Sequence, residues 1–410
     1  MVTISPFQAL RPEAQLAKSV ASRPYDVLNS KEAKVEAQGN PNSFLHITKS
    51  EIGLSETTDI HSPEVYTKAK ENLTAFISRN ILFRENKPCY YIYRLTMDGR
   101  SQAGLVCGSS VDDYENGLIK KHEFTRPEKE QDRINHIKIT GAQTGNVFLA
   151  YKNVAEIDAV INGWMSDKSP QYDFKAEDGI QHTIWIVNDD ATIELITNLF
   201  RTKVPATYIA DGHHRAASAA KVRTALGPNS TRNSDFFLTT LFPSNQLAIM
   251  DYNRVVTDLN GLTEEELLEQ IATHFKIEKV NEQFRPQSAH EFGLYMGKQW
   301  YKLTANAGSF DEQDPIAVLD ISILQKNILE PLLGIKDQRT DKRIDFVGGI
   351  RGLGELEKRV DSGEMALAVS LYPVSIEQLF AVADSGEVMP PKSTWFEPKL
   401  RDGLLTHLID

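Results

Sequence analysis

The stretch "TYIADGHHRAASAA", from Thr207 to Ala220, sets an acid, a glycine, two histidines and an arginine between two apolar runs. Tyr208 and Ile209 read as the end of a strand. Ala216, Ala217, Ala219 and Ala220 read as the body of a helix that begins near His213. Gly212 permits a tight, left-handed turn between them. The first N–H groups of a helix lack internal partners, and the helix dipole makes that end partly positive, so an anion such as phosphate fits there. His213 and His214 add donors, and Arg215 can grip a phosphate with two bonds. Asp211 can cap the helix, hold a histidine tautomer or reach a metal. The competing account is a capped helix start with surface histidines. Polar groups crowded at a buried junction are costly without partners, which favours a ligand. On that reading, His214→Ala and Arg215→Ala remove phosphate binding and leave the thermal midpoint nearly unchanged.

A second polar run, "KKHEFTRPEKEQDR", places Lys120, Lys121, His122 and Glu123 in a loop ahead of a helix. His122-Glu123 followed by Arg126 is not the zinc motif, because arginine stands where its second histidine belongs. A solvated, salt-bridged helix face explains the charges without function. Loop residues can also converge on a site, and phosphoryl transfer to a hydroxyl needs a carboxylate to orient or deprotonate it. Glu123 is the candidate base, with Arg126 or Arg133 for a substrate carboxylate. "MPPKST" has the ending of a P-loop and none of its glycines. Its two prolines stiffen the approach to Lys392, which can serve as a fixed cation over an anion or belong to a plain loop. "FVGGIRGLGELE" misses the dinucleotide spacing and reads as a tight turn. His46 and His182 sit in apolar surroundings and read as satisfied core histidines.

Elements must position these groups. The chain has 410 residues, enough for two or three lobes. Residues 25–27 and 44–47 read as short strands with turns, and "SPEVYTKAKENLTAFISRNIL" as a helix with Pro63 at its first position. Residues 89–96 and 101–108 read as a hairpin turned at Asp98-Gly99. A helix from Pro127 to about Ile137 precedes strands and helices in alternation, which predicts an α/β arrangement for the first two-thirds. The predicted division is an N-terminal α/β domain over 1–255, a small α+β lobe over 256–338 and a C-terminal α/β segment over 339–410 that packs back on the core. "MPPKSTWFEPKL" has the composition of a loop.

Bulk properties narrow the function classes. Net charge is −11 with no long basic stretch, which disfavours nucleic acid as a partner. No apolar run reaches bilayer length, and the start "MVTISPFQALRP" lacks the blocks of a signal peptide. Only Cys89 and Cys107 occur, in strand-like runs, so a reducing, cytoplasmic setting is expected. Small-molecule substrates are the expected partners, without a membrane. A homo-oligomer is left open.

"YIADGHHRAASA" resembles the signature of the ParB/sulfiredoxin-like superfamily. The whole chain resembles the bacterial family catalogued as domain of unknown function 1015, through "RPYDVLN", "NPNSFLHI", "KKHEFTRPEKEQDR", "QHTIWIV", "NRVV" and "MPPKSTWFEPKL" between residues 23 and 400. The resemblance implies a mixed α/β (α+β) fold, with a ParB/sulfiredoxin-like core, a strand–turn–helix phosphate site and a smaller α+β lobe. Superfamily relatives include free serine kinases, which make O-phosphoserine from L-serine. The resemblance thus implies a phosphotransferase with phosphates on Gly212, His213, His214 and Arg215. Mg²⁺ would be held through Asp211, Glu123 would position the hydroxyl, and Lys392 would close over the donor. Asp26 joins the pocket on the resemblance alone. ATP, ADP and pyrophosphate all suit as donors. A sulfiredoxin-like reductase would need cysteine where His213 stands, and a ParB-like clamp would need a basic DNA-binding domain. The alternative is a non-catalytic nucleotide-binding regulator.

Overall fold

A computed structural model describes residues 1–410, which form two compact units. Unit 1 comprises Met1–Leu247 together with Pro398–Asp410, and unit 2 comprises Ala248–Glu397. The breaks thus fall at 247/248 and 397/398, in place of the expected 255/256 and 338/339. The fold class is mixed α/β. No helix is long and apolar enough to cross a membrane.

Unit 1 is built on a nine-stranded sheet. Its strands are β1 (Ile4–Ser5), β2 (Tyr90–Met97), β3 (Arg100–Ser110), β4 (Ile119–Lys120), β5 (Val147–Tyr151), β6 (Tyr172–Lys175), β7 (Gln181–Val187), β8 (Thr207–Asp211) and β9 (Phe236–Pro243). They lie in the order β4-β8-β5-β9-β3-β2-β7-β6, with β1 on β3. Only β4–β8 and β5–β9 run parallel; the remaining pairs are antiparallel. The β2–β3 hairpin turns at Asp98 and Gly99, both at positive φ (51° and 79°), as a tight hairpin turn requires. The longest helices of the unit are α1 (Pro63–Ser78), α2 (Pro127–Thr140), α3 (Ala155–Asp167), α4 (Asp190–Lys203) and α5 (His213–Leu226). Tyr90, Leu105, Leu149, Trp185, Phe200 and Ile209 share one core with the alanines of α5. Each large aliphatic or aromatic side chain buried there contributes roughly 1.5–3 kcal/mol.

Two short elements differ from expectation. Tyr25–Val27 is a single 3₁₀ turn, and Leu45–Thr48 is a turn of α-helix. Residues 44, 45 and 47 are buried, so their apolar spacing serves a helical face in place of the expected strand.

Unit 2 has a six-stranded sheet. Its strands are β10 (Tyr252–Val256), β11 (Phe275–Val280), β12 (Glu291–Met296), β13 (Gln299–Ala305), β14 (Ile344–Gly348) and β15 (Leu367–Leu371), in the order β11-β13-β12-β15-β10-β14. Strands from both sides of residue 338 alternate in this one sheet, which is why no lobe ends there. Helices α6 (Glu264–Ile271), α7 (Gly354–Asp361) and α8 (Ile376–Ser385) belong to this unit.

Candidate phosphate site at the start of helix α5

β8 is held between β4 and β5, and its pairing with β5 slips between Ile209 and Asp211. Gly212 follows at φ 95° and ψ 31°, a left-handed conformation that turns the chain from the strand into α5 within one residue. The Gly212 carbonyl accepts the Ala216 N–H at 3.1 Å, which closes the first turn. Ala216, Ala217, Ala219 and Ala220 are buried and let α5 lie close to the sheet. Ser218 Oγ donates to the Glu130 carbonyl and so ties α5 to α2.

The motif side chains are more enclosed than a surface reading allows. His213 is 5% exposed and Arg215 8%. The Arg215 guanidinium donates to Asp26 at 2.6 Å and to the Asn146 carbonyl, with Asp211 at 3.9 Å. Burial works against its charge, but Asp26 and Asp211 outweigh it and raise the guanidinium well above its ordinary value. Asp211 in turn accepts from Lys399 at 3.1 Å. Burial alone would raise that carboxyl; Lys399 and then Arg215 hold it far below the usual carboxylate range.

Both histidines of the motif are pushed down by burial, His213 strongly, with His122 next to it adding to the effect. They are therefore neutral at pH 7. His213 Nε2 accepts the His122 N–H at 3.5 Å, and the two rings meet edge to face at 4.6 Å. The His213 proton thus sits on Nδ1, which lies 3.8 Å from Glu123 Oε2. His214 Nε2 accepts the Arg126 N–H at 3.0 Å. Positive charge near this junction belongs to arginine and lysine, not to imidazole.

The remaining candidates separate into enclosed and open groups. Arg133 pairs with Asp132 at 2.6 Å and lies 4.0 Å over the Tyr25 ring, so its guanidinium is occupied within the fold. Asp26 is the Arg215 partner. Glu123, with a side chain 53% exposed, and Arg126 are open to solvent. Lys392 belongs to unit 2. His182 is fully buried between Tyr93 and Arg401, as a satisfied core histidine; His46 is half-buried in the Leu45–Thr48 turn and bonds the Asn40 carbonyl.

Beside Arg215, a cavity of about 20 Å³ has Tyr25, Arg133, Gly145 and Val147 on its walls, room for about one water. Arg215 Nε and Asn146 Oδ1 are buried nearby without a partner. No group of three or more His, Cys, Asp or Glu side chains gathers as a metal site. Asp211 faces two cations, so it does not fit as the ligand of a resident Mg²⁺.

Three contributors carry no signal in the sequence. Lys399 and Asp402 arrive on the C-terminal segment, where Ser22 and Asp402 form a two-way backbone bridge. Asp402 is 3% exposed, its Oδ2 lacks a partner, and burial raises its carboxyl to about 7 against the pull of Arg215. His122, expected in an open loop, is instead buried against His213. Nothing in local sequence spacing signals these contacts.

The model of the family described as protein of unknown function (DUF1015) matches residues 4–322. No curated protein matches the chain. Among solved structures, a conserved hypothetical protein from Pyrococcus furiosus is similar at 13% identity and a TM-score of 0.36, covering 74% of this chain and 95% of that one. A free serine kinase in complex with AMP is similar at 12% identity and a TM-score of 0.37, covering 74% and 91%. A C-terminally truncated SbnI from Staphylococcus aureus gives 12%, 0.33, 74% and 87%.

Proposed function

The chain belongs to the DUF1015 family, and on that premise we propose that it transfers a phosphoryl group to a small hydroxyl amino acid, with free L-serine the favoured acceptor. The observation that carries this reading is the meeting of three features at one helix start. These are a left-handed Gly212 opening α5, an exposed carboxylate on Glu123, and a neutral His213 whose Nδ1–H faces that carboxylate at 3.8 Å. Arg215 Nε, two residues into α5, is buried without a partner and is a further unsatisfied donor near this helix start.

In this reading the donor phosphates rest on the first backbone N–H groups of α5, because the motif side chains are already engaged. Arg126, exposed and bonded through its N–H to His214, pairs with the donor phosphates or the acceptor carboxylate. Glu123 takes the proton of the acceptor hydroxyl. The hydroxyl oxygen then bonds to the terminal phosphorus as the bond to the bridging oxygen breaks, and the leaving phosphate departs with its electron pair. His213 orients Glu123 through Nδ1. ATP, ADP and pyrophosphate all satisfy this chemistry. Mg²⁺, where a donor brings it, would be bound chiefly by phosphate and water oxygens.

The test is a transfer screen of ATP, ADP and pyrophosphate, with Mg²⁺, against free amino acids, read by mass spectrometry. Phosphoserine formed only with enzyme supports the reading. Saturable donor binding with no phosphorylated product after long incubation selects the non-catalytic regulator instead.

A further inference from the structure

Two sequence stretches left without a role, "FVGGIRG" and "MPPKST", come together inside unit 2. Tyr252 on β10 pairs with Gly348 at the end of β14. The Trp395 ring packs on Gly348, where a Cβ would lie 3.2 Å away, and meets Tyr252 edge to face at 5.1 Å. Residues 249–250 pair with 395–396 and bring the 389–394 loop to this corner.

Arg254, also on β10, is fully buried. Its guanidinium donates only to neutral oxygens: Gln338 Oε1 at 3.2 Å, the Tyr252 carbonyl, and the Pro391 carbonyl at 3.1 Å. A buried charge ordinarily has a counter-charge, and this one has none. The bond to Pro391 fixes the loop one residue ahead of Lys392. Lys392 is exposed, takes a left-handed backbone (φ 56°) and makes no ion pair. Its Nζ lies 5.8 Å from the Tyr252 ring centre, and Arg254 Cζ lies 5.9 Å from the same centre. The carboxylates adjacent in sequence are taken: Asp251 by Arg285 at 2.8 Å and Asn253 at 2.6 Å, Glu397 by Trp395 Nε1 at 3.0 Å. A lysine whose backbone is held in a left-handed turn beside an uncompensated arginine has the Tyr252 ring near it and no anionic partner.

We propose that unit 2 carries an oxyanion site of its own on the 389–394 loop, where Lys392 contacts a phosphate or carboxylate group in the field of Arg254. The two cations gathered on one ring supply the attraction, and the Arg254–Pro391 bond supplies the rigidity. The proposal is argued from unit 2 residues alone and does not rest on the unit 1 reading.

Calorimetric titration of the full chain with inorganic phosphate, and separately with acetate, at fixed ionic strength tests it. The wild-type chain should show saturable binding of at least one of the two, and the preferred one names the group. Lys392→Gln should weaken that binding at least tenfold, Lys392→Arg should retain most of it, and Lys298→Gln, at another exposed left-handed lysine of unit 2, should leave it unchanged. Equal binding by Lys392→Gln and wild type, loss shared with Lys298→Gln, or no saturable binding of either anion overturns the proposal. Loss of phosphate transfer with anion binding intact would count against the unit 1 reading alone.

Discussion

The guanidinium of Arg215 lies 2.6 Å from the carboxylate of Asp26, a residue 189 positions earlier in the chain. Together with the Asn146 carbonyl, this contact draws the N-terminal segment onto the start of α5. An arginine expected to wait for a phosphate is instead a buried tie between distant segments. Any ligand that used its guanidinium would first have to displace Asp26.

Arg215→Ala should therefore cost stability, against the sequence-based expectation of a silent change. Removing one partner of a buried pair costs about 3–5 kcal/mol; because Asp26 is partly exposed, the lower end applies. Urea denaturation of Arg215→Ala beside His214→Ala measures this. A midpoint for Arg215→Ala equal to wild type would mean that the Asp26 contact contributes nothing.

Gly212→Ala should destabilise by about 1–2 kcal/mol, because a residue with a Cβ is strained at φ 95°. The added Cβ would meet Val147 Cα at 3.4 Å, an ordinary contact, so the cost lies in the backbone conformation. Gly163→Ala supplies the opposite sign. That glycine lies inside α3 with nothing within 4 Å of an added Cβ, so the change should stabilise by about 0.5–1 kcal/mol. Equal effects at the two positions would contradict the left-handed turn.

Asp402 gives a pH-dependent difference. Burial raises its carboxyl to about 7 in the folded chain, above the ordinary aspartate value near 3.9. Between those values the folded state binds more protons than the unfolded state, so this group's contribution is full at low pH and is lost as pH rises towards 7. Asp320, also raised to about 7 by burial, acts with the same sign in unit 2. His122 and His136, pushed down to about 4 by burial, act with the opposite sign below about 6.5. The informative measurement is thus the stability difference between Asp402→Asn and wild type from pH 4 to 8. It should move in favour of Asp402→Asn as pH rises; a flat difference would refute a raised carboxyl.

How much the sequence discloses depends on the range of the forces involved. The strand, Gly212 and α5 are legible because glycine freedom, alanine packing and apolar spacing act within a few residues. The β2–β3 hairpin is legible for the same reason, through Asp98-Gly99. The partners of the motif are not. Asp26 for Arg215, Lys399 for Asp211 and His122 for His213 are set by tertiary packing between segments 91 to 189 positions apart. The interleaved sheet of unit 2 is hidden for the same cause: β14 and β15 read as a separate segment until their pairing with β10 and β12 is seen. Short apolar runs such as 44–47 fit a strand or a helical turn equally, and packing decides.

Glu123 separates the catalytic reading from simple binding. Its side chain is half in solvent, so Glu123→Gln should shift stability by no more than about 0.5 kcal/mol. As the base it should lower kcat for phosphoryl transfer by roughly 10²- to 10⁴-fold while leaving the KM for the donor nearly unchanged. Arg126→Ala should show the converse, a raised KM with a smaller change in kcat, because its side chain meets ligand charge and not the moving proton. Steady-state kinetics on the two variants reads both effects. A Glu123→Gln chain with wild-type kcat would remove the carboxylate from the chemistry and leave the start of α5 as a binding site only.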